Sequence, residues 1–460
     1  MINQQMLGTE PIGKLLLKYS VPAIIGMIVN ALYNVVDKIF IGNIPNVGAL
    51  AITGVGVTMP IMTIILAFAM LIGVGATANI SIKLGQGKKD EAEIIIGNTI
   101  TLSIIVSVII SIIGILFGDN ILQIFGASNA TLYYAKSYID IILLGTIFNI
   151  LAFTLNNTIR GDGNPKLAAI IMVVGCLTNI VLDGVFIFGF NFGIQGAAIA
   201  TVISQMVTAI WALMYYIKGK SNLKFRKSSL KLDKSLVKII FAIGSAPFAM
   251  QIAASLVQVI SNNALKAYGG DLAIGAMATI SSIAMIFLMP IFGINQGSQP
   301  IIGFNYGAKQ YDRANKTFKI SLLVAVVIMT FGWLIMQTKP ELIVGMFNKD
   351  PKLMDITING AKIYLFMLPI VAISVTGSNY MQSVGKAKSA MILGLLRQVI
   401  LLIPMIIVLP KFFELNGVWY AQPVSDFLST IITIVVLVKE LRRYKINSSK
   451  EAELKGELQA

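Results

Sequence analysis

The chain has 460 residues, 56% of them hydrophobic and 12% charged, with a formal net charge of +15, one cysteine and no histidine. A mean hydropathy of +0.81 is too apolar for one water-facing core, so the apolar residues must face lipid as well as one another. Cys176 alone excludes an intramolecular disulfide, and the lack of histidine excludes imidazole metal sites and histidine-based acid–base chemistry.

About twenty helical residues cross a hydrocarbon core of about 30 Å. In lipid every backbone amide needs an internal partner, which leaves helices or closed barrels. Ile94–Phe117 and Leu167–Phe188 are too long and too continuously apolar for barrel strands. The fold class expected is therefore an all-α integral membrane protein. Twelve spans are predicted, at 14–41, 50–82, 93–117, 131–157, 166–189, 194–217, 236–265, 272–304, 317–337, 356–383, 388–410 and 416–439. The first apolar run has no small-residue cleavage site after it and reads as a retained signal anchor. Pro22, Pro60, Pro247, Pro290, Pro300, Pro369, Pro404 and Pro423 fall inside spans, where kinks are expected.

The basic residues lie in loops with no aromatic platform, which argues topology and no nucleic-acid partner. The two termini and every second loop hold 27 of the 36 Lys and Arg residues, the opposite loops only Lys266, Lys339, Lys349, Lys352 and Lys411. That bias predicts an inner-membrane protein with both termini cytoplasmic.

The polar stretch Lys218–Leu236 divides the chain. Residues 1–217 form an expected N-terminal six-helix bundle, 218–235 a cytoplasmic linker, 236–440 a C-terminal bundle and 441–460 a cytoplasmic tail. The halves are related. Ser20-Val21-Pro22 reappears as Ser245-Ala246-Pro247, and Gly75, Gly85, Asp90 and Ala92 recur 222 residues later as Gly297, Gly307, Asp312 and Ala314. Asn157, Gly163 and Lys166 recur at the same offset as Asn379, Gly385 and Lys388. Repeats of six spans share one topology and should be related by a two-fold axis along the membrane normal, with a cleft between them.

Ionisable side chains in a bilayer are expensive and mark function. Asp37 in span one and Asp183 in span five should lie at similar depth. Asn30, Asn34 and Asp37 form one helix stripe, and Cys176, Asn179 and Asp183 another. Thr201 in span six and Tyr138 in span four are at comparable depth. Two carboxylates, an amide and a hydroxyl suit a small cation, either a proton shared by the acidic pair or Na⁺ at Asp37, Asn179, Asp183 and Thr201. The plainer alternative is that these groups only hold helices together, or that Asp37 pairs with Lys38. Span seven presents Gln251, Ser255, Gln258 and Asn262, polar but uncharged, so coupling should be confined to the N-terminal bundle. Asn34, Tyr138, Gln251, Ser255, Gln258 and Asp426 are candidates for a substrate cleft. Arg397 and Asp426 either pair structurally or meet substrate, and Asp140 has no assigned role.

No catalytic constellation is visible, so the chain does not read as an enzyme. Gly85-Gln86-Gly87-Lys88-Lys89 is too short for a phosphate-binding loop. No cofactor is implied beyond a coupling ion.

Certain motifs carry a resemblance over about residues 7–445. They are Pro22 with Asn34-Val35-Val36-Asp37, the Gly85-Gln86-Gly87 loop, Arg160-Gly161-Asp162-Gly163-Asn164-Pro165-Lys166 and Asn179-Ile180-Val181-Leu182-Asp183. Gly196-Ala197-Ala198-Ile199-Ala200-Thr201 and Gln299 through Ala308 complete the series. The chain resembles the multidrug and toxic compound extrusion (MATE) family, and within it the bacterial MepA-like branch. The resemblance implies a V-shaped pair of six-helix bundles and cation-coupled antiport of amphipathic organic cations such as dyes and antibiotics, by a monomer. In family members with an N-lobe ion site, the matching positions, here Asp37, Asn179, Asp183 and Thr201, bind the coupling ion. The acidic residues that other members carry in spans seven and ten are missing here. A lipid-linked oligosaccharide flippase of the same architecture, or an uncoupled channel or scaffold, is the alternative reading.

Overall fold

The computed structural model describes residues 6–45, 47–125, 127, 129–218, 221–347 and 351–457. Among them every regular element is helical. Eleven helices are long and apolar enough to cross a membrane, and there are twelve spans when one helix pair bent by 54° is counted as a single broken span.

Spans one to six are Ile12–Gly42, Gly48–Gly85, Lys89–Ile124, Asn129–Gly161, Pro165–Asp183 and Gly193–Ile217. The fifth passes directly into a π-helical turn, Gly184–Gly189. Spans seven and eight, Lys234–Gly270 and Leu272–Gly307, meet end to end at Gly270, whose φ of 65° breaks the helical path. Span nine is Tyr311–Thr338. Span ten is the bent pair Pro351–Tyr364 and Leu368–Ser383. Spans eleven and twelve are Ala387–Val408 and Pro410–Arg442.

Three features add detail to the sequence expectations. Span ten is not continuous over 356–383; it breaks ahead of Pro369, which lacks an N–H and sits in the first turn of the second piece. Pro404 likewise opens a new helical segment, after the π-helical stretch Leu396–Leu402 has widened the turn before it. The region expected as a tail after residue 440 begins as helix. The last helix runs on to Glu457, through a stretch rich in the helix formers Lys, Glu, Leu and Ala.

The repeat is written into the backbone. Gly87 and Lys309, 222 positions apart, both have positive φ (74° and 60°), as do Gly163 and Gly385 (96° and 77°). The reciprocal contact is closer still. A Cβ added to Gly85 would lie 2.0 Å from the Phe304 carbonyl oxygen, and one added to Gly307 would lie 2.1 Å from that of Ile82. These are the same pair of positions exchanged between the halves, as a two-fold axis between them requires. Gly75 against Ile240 and Gly244 against Leu71 are equally tight. In lipid there is no hydrophobic force to join helices, so small residues that let backbones touch supply the contact instead.

These approaches share one side of the molecule. Residues 71–85 of span two pack on 240–244 and 303–307, and Ser20 and Ile24 of span one pack on Gly297 and Gly293. Arg160, buried, donates across the lobes to Gln296 Oε1 at 2.7 Å. Phe68 and Phe248, with ring centroids 5.0 Å apart, lie farther along. Beyond them the two lobes have separate cores. One is built around Ile41, Val55, Tyr138 and Ile187, the other around Leu265, Met277, Met336, Val344 and Trp419. The lobes are clamped at the face that carries the basic loops and part toward the other.

Candidate cation-coupling site

Spans one, four, five and six converge inside the N-terminal lobe. The sequence stripes explain how. Asn179 and Asp183 are one turn apart on span five, so both project to one side, and each is 1% exposed or less. Thr201, on the sixth span, meets them: Asn179 Nδ2 donates to Thr201 Oγ1 at 3.4 Å. Asp37, half-buried on span one, adjoins Asp183 and is the charge that acts on it. Tyr138, buried on span four, stands beside Asp37, Asp183 and Thr201. All five residues read from the sequence are thereby brought together. The side chains of Asn34, Asn30 and Lys38 lie outside the described residues.

What marks this cluster chemically is its surplus of acceptors. Neither carboxylate oxygen of Asp183 receives a hydrogen bond from the described residues, and neither does Asn179 Oδ1. A buried acceptor without a donor costs about 1–3 kcal/mol, more when charged, so three gathered beside a second carboxylate are an arrangement that a proton or small cation relieves. Among the described residues no three Asp, Glu, His or Cys side chains gather to hold a metal. The oxygens gathered here belong to two carboxylates, an amide and hydroxyls. The π-helical turn begins at the residue after Asp183, and such turns often occur where a helix is bent to serve a site.

Tyr33 was missed by the sequence reading. It stands against Asp37, Cys176 and Asp183, and its position one turn before Asp37 on the same stripe was the available signal. A cavity of about 360 Å³, lined by Tyr133, Tyr134, Ser137, Ile187, Asn191 and Gln195 among others, opens at the adjacent end of the lobe. Ser137 precedes Tyr138 in the chain and Ile187 lies one helical turn after Asp183.

The sequence profile of the MatE family matches residues 22–185 and again 247–408, once in each lobe. The chain belongs to the MatE family. Multidrug export protein MepA of Staphylococcus haemolyticus is 26% identical over 441 residues, spanning 96% of both chains. MepA of Staphylococcus aureus is 25% identical over 448 residues, 96% of this chain and 97% of its own. Among solved structures, the MATE multidrug transporter DinF-BH is 39% identical, with a TM-score of 0.87 over 94% of this chain and 96% of its own. A multidrug resistance MATE family transporter in its outward-facing conformation has a TM-score of 0.89 at 23% identity, over 96% and 98%, a likeness of fold. As a MatE family member the chain is a membrane transport protein and not an enzyme.

In this MatE protein the two lobes have different interiors. Asp426, expected as a cleft residue, is 3% exposed and tied inside the C-terminal lobe. Arg397 Nε donates to its Oδ1 at 2.6 Å and Gln422 Nε2 to the same oxygen at 3.0 Å. Gln258 is exposed and lines a cavity of about 60 Å³ with Ser261, Ser281, Tyr364 and Gln422. It also donates to Asn262 Oδ1 at 3.0 Å. Gln251 and Ser255, half-buried, follow Phe248 along span seven where the lobes begin to part. Asp140 stands near the exposed Lys136–Asp119 pair, away from the cluster. The acid of the C-terminal lobe is thus neutralised by a built-in cation. Arg397→Met, which leaves Asp426 buried without its cation, is expected to cost about 3–5 kcal/mol. The double change Arg397→Met, Asp426→Leu should recover most of it, as read by thermal unfolding in detergent.

Proposed function

We propose that this protein exports amphipathic organic cations by alternating access, each exchanged for protons or sodium ions bound at Asp37 and Asp183, with Asn179 and Thr201 completing the site. The single observation that carries the reading is buried Asp183, which lies beside Asp37 and whose two oxygens accept no hydrogen bond from the described residues. The relatives, named as multidrug exporters, support the substrate class.

The basic face is the cytoplasmic one on the positive-inside rule, so both termini are cytoplasmic and the clamped state is open outward. The coupling ion enters from that open side and reaches the pair. Filling the site removes the repulsion between the carboxylates and changes how span one packs, which biases release of the organic cation. An ion moves such an equilibrium only by its different affinity for the two states, and the contrast between a filled and an empty acidic pair supplies that difference. The two lobes of one chain enclose both cleft and ion site, so a monomer suffices.

The test is ethidium efflux from vesicles reconstituted with the purified chain, driven separately by a pH gradient and by a sodium gradient. One gradient is expected to drive uphill efflux. Flux that ignores both gradients and runs only downhill would make the protein a channel.

A further inference from the structure

The linker between the lobes is not a loose tether. Residues 221–233 are strapped to the N-terminal lobe along the first turns of span three. Lys224 N donates to Glu93 Oε1 at 3.0 Å, Arg226 Nε pairs with Glu93 Oε2 at 3.0 Å, and Asn98 Nδ2 donates to the carbonyls of Ser229 and Lys231. Asp162 Oδ2 accepts from Tyr215 Oη and Ser221 Oγ at 2.5 and 2.7 Å. Ser229 also lies over Gly97, where an added Cβ would be 2.3 Å from its carbonyl oxygen. With so many anchors the strap must ride with the N-terminal lobe.

Its depth can be read from the helix it lies on. The Leu230 carbonyl accepts from Thr101 Oγ1 at 2.8 Å. Exposed apolar residues on span three begin immediately after, at Ile104 and Ile105, and continue through Ile109, Ile112 and Leu116. That stripe faces lipid, so Leu230 lies about one helical turn above its upper edge, about 5 Å at 1.5 Å per residue, within the headgroup layer. At this level the strap exposes two leucines, Leu230 and Leu232 (37% and 38%), flanked by the exposed Lys231, Lys234 and Lys238. Among the described residues none of these three lysines pairs with a carboxylate, whereas Arg226 does. Apolar side chains beside unpaired lysines at a headgroup boundary are complementary to an anionic lipid surface.

We propose that the inter-lobe linker is a lipid-binding strap, in which Leu230 and Leu232 enter the leaflet and Lys231, Lys234 and Lys238 hold anionic phospholipid headgroups. The strap is fixed to the N-terminal lobe, and span seven begins at Lys234 with Asp233 capping it through Ser235 N and Leu236 N. Bound lipid therefore sits at the joint about which the lobes move. The proposal is independent of which solute is exported.

The test uses the full chain with a fluorophore on Leu230→Cys or, separately, Leu232→Cys; the native Cys176 is buried. Each protein is placed in vesicles containing brominated phosphatidylglycerol with plain phosphatidylcholine, or the reverse. Both labels should be quenched, and more by brominated phosphatidylglycerol. That preference should fall by about fivefold for each lysine changed to Gln among Lys231, Lys234 and Lys238. Labels that escape quenching by either lipid, equal quenching by the two, or a preference that survives the triple change would each overturn the proposal.

Discussion

Asp37→Asn and Asp183→Asn are each expected to uncouple the transporter, leaving binding of an organic cation measurable while gradient-driven efflux collapses. The reason lies in the acceptor surplus. With aspartate at both positions, an empty site places two carboxylates side by side in a dry bundle, where neither Asp183 oxygen nor Asn179 Oδ1 has a donor among the described residues. Occupied, the same site has that charge neutralised. An asparagine at either position removes the repulsion and supplies a donor of its own, so filled and empty states come to resemble each other. Coupling free energies of this kind are about 1–3 kcal/mol, or about 5–150-fold in affinity. The variants should lose that factor in the ratio of uphill to downhill flux, measured in vesicles with and without an imposed ion gradient. Uphill flux at the wild-type rate in both variants would remove the pair from the mechanism.

Gly85→Leu and Gly307→Leu are expected to force the clamped face apart. At both positions the obstacle is a backbone carbonyl oxygen of the other lobe, 2.0 and 2.1 Å from an added Cβ. Such a group cannot swing aside as a side chain can. Overpacking at such a contact costs about 1–3 kcal/mol, enough to move a two-state equilibrium by about 5–150-fold toward separated lobes. Ser20, which meets Gly297 in the closed face, reports the change. A Ser20→Cys probe should react slowly with an impermeant maleimide applied to the basic face, and faster by that factor when Gly85→Leu or Gly307→Leu is added. Unchanged reactivity would mean that this contact is not the one that opens.

The reach of the sequence followed the range of each interaction. Spans are one-dimensional objects, so continuous apolar runs located them, and the constant 222-residue offset exposed the repeat before any contact was known. The acidic cluster was legible for a similar reason. Asn179 and Asp183 share a helix face by spacing alone, and depth along a span of known direction places Asp37, Tyr138 and Thr201 level with them. What could not be read depends on how helices face one another. The sequence left Asp426 open between a substrate role and a pair with Arg397, and only the packed spans, with Arg397 2.6 Å away, decide for the pair. Gly85 and Gly307 were visible as repeat markers, but only the packed lobes show why no side chain fits there. The break in span ten had its clue in Pro369, although seven other prolines looked equivalent and six of the eight stay inside helices.

Equilibrium binding of a fluorescent organic cation to the purified protein, titrated against pH and against sodium, addresses the acidic pair without depending on vesicle integrity. Wild-type affinity should fall as one of the two ions rises, because both draw on the same conformational equilibrium, and the double variant Asp37→Asn, Asp183→Asn should bind the cation with an affinity that neither ion alters. A double variant whose affinity tracks the ion as the wild type does would place the coupling site elsewhere in the protein.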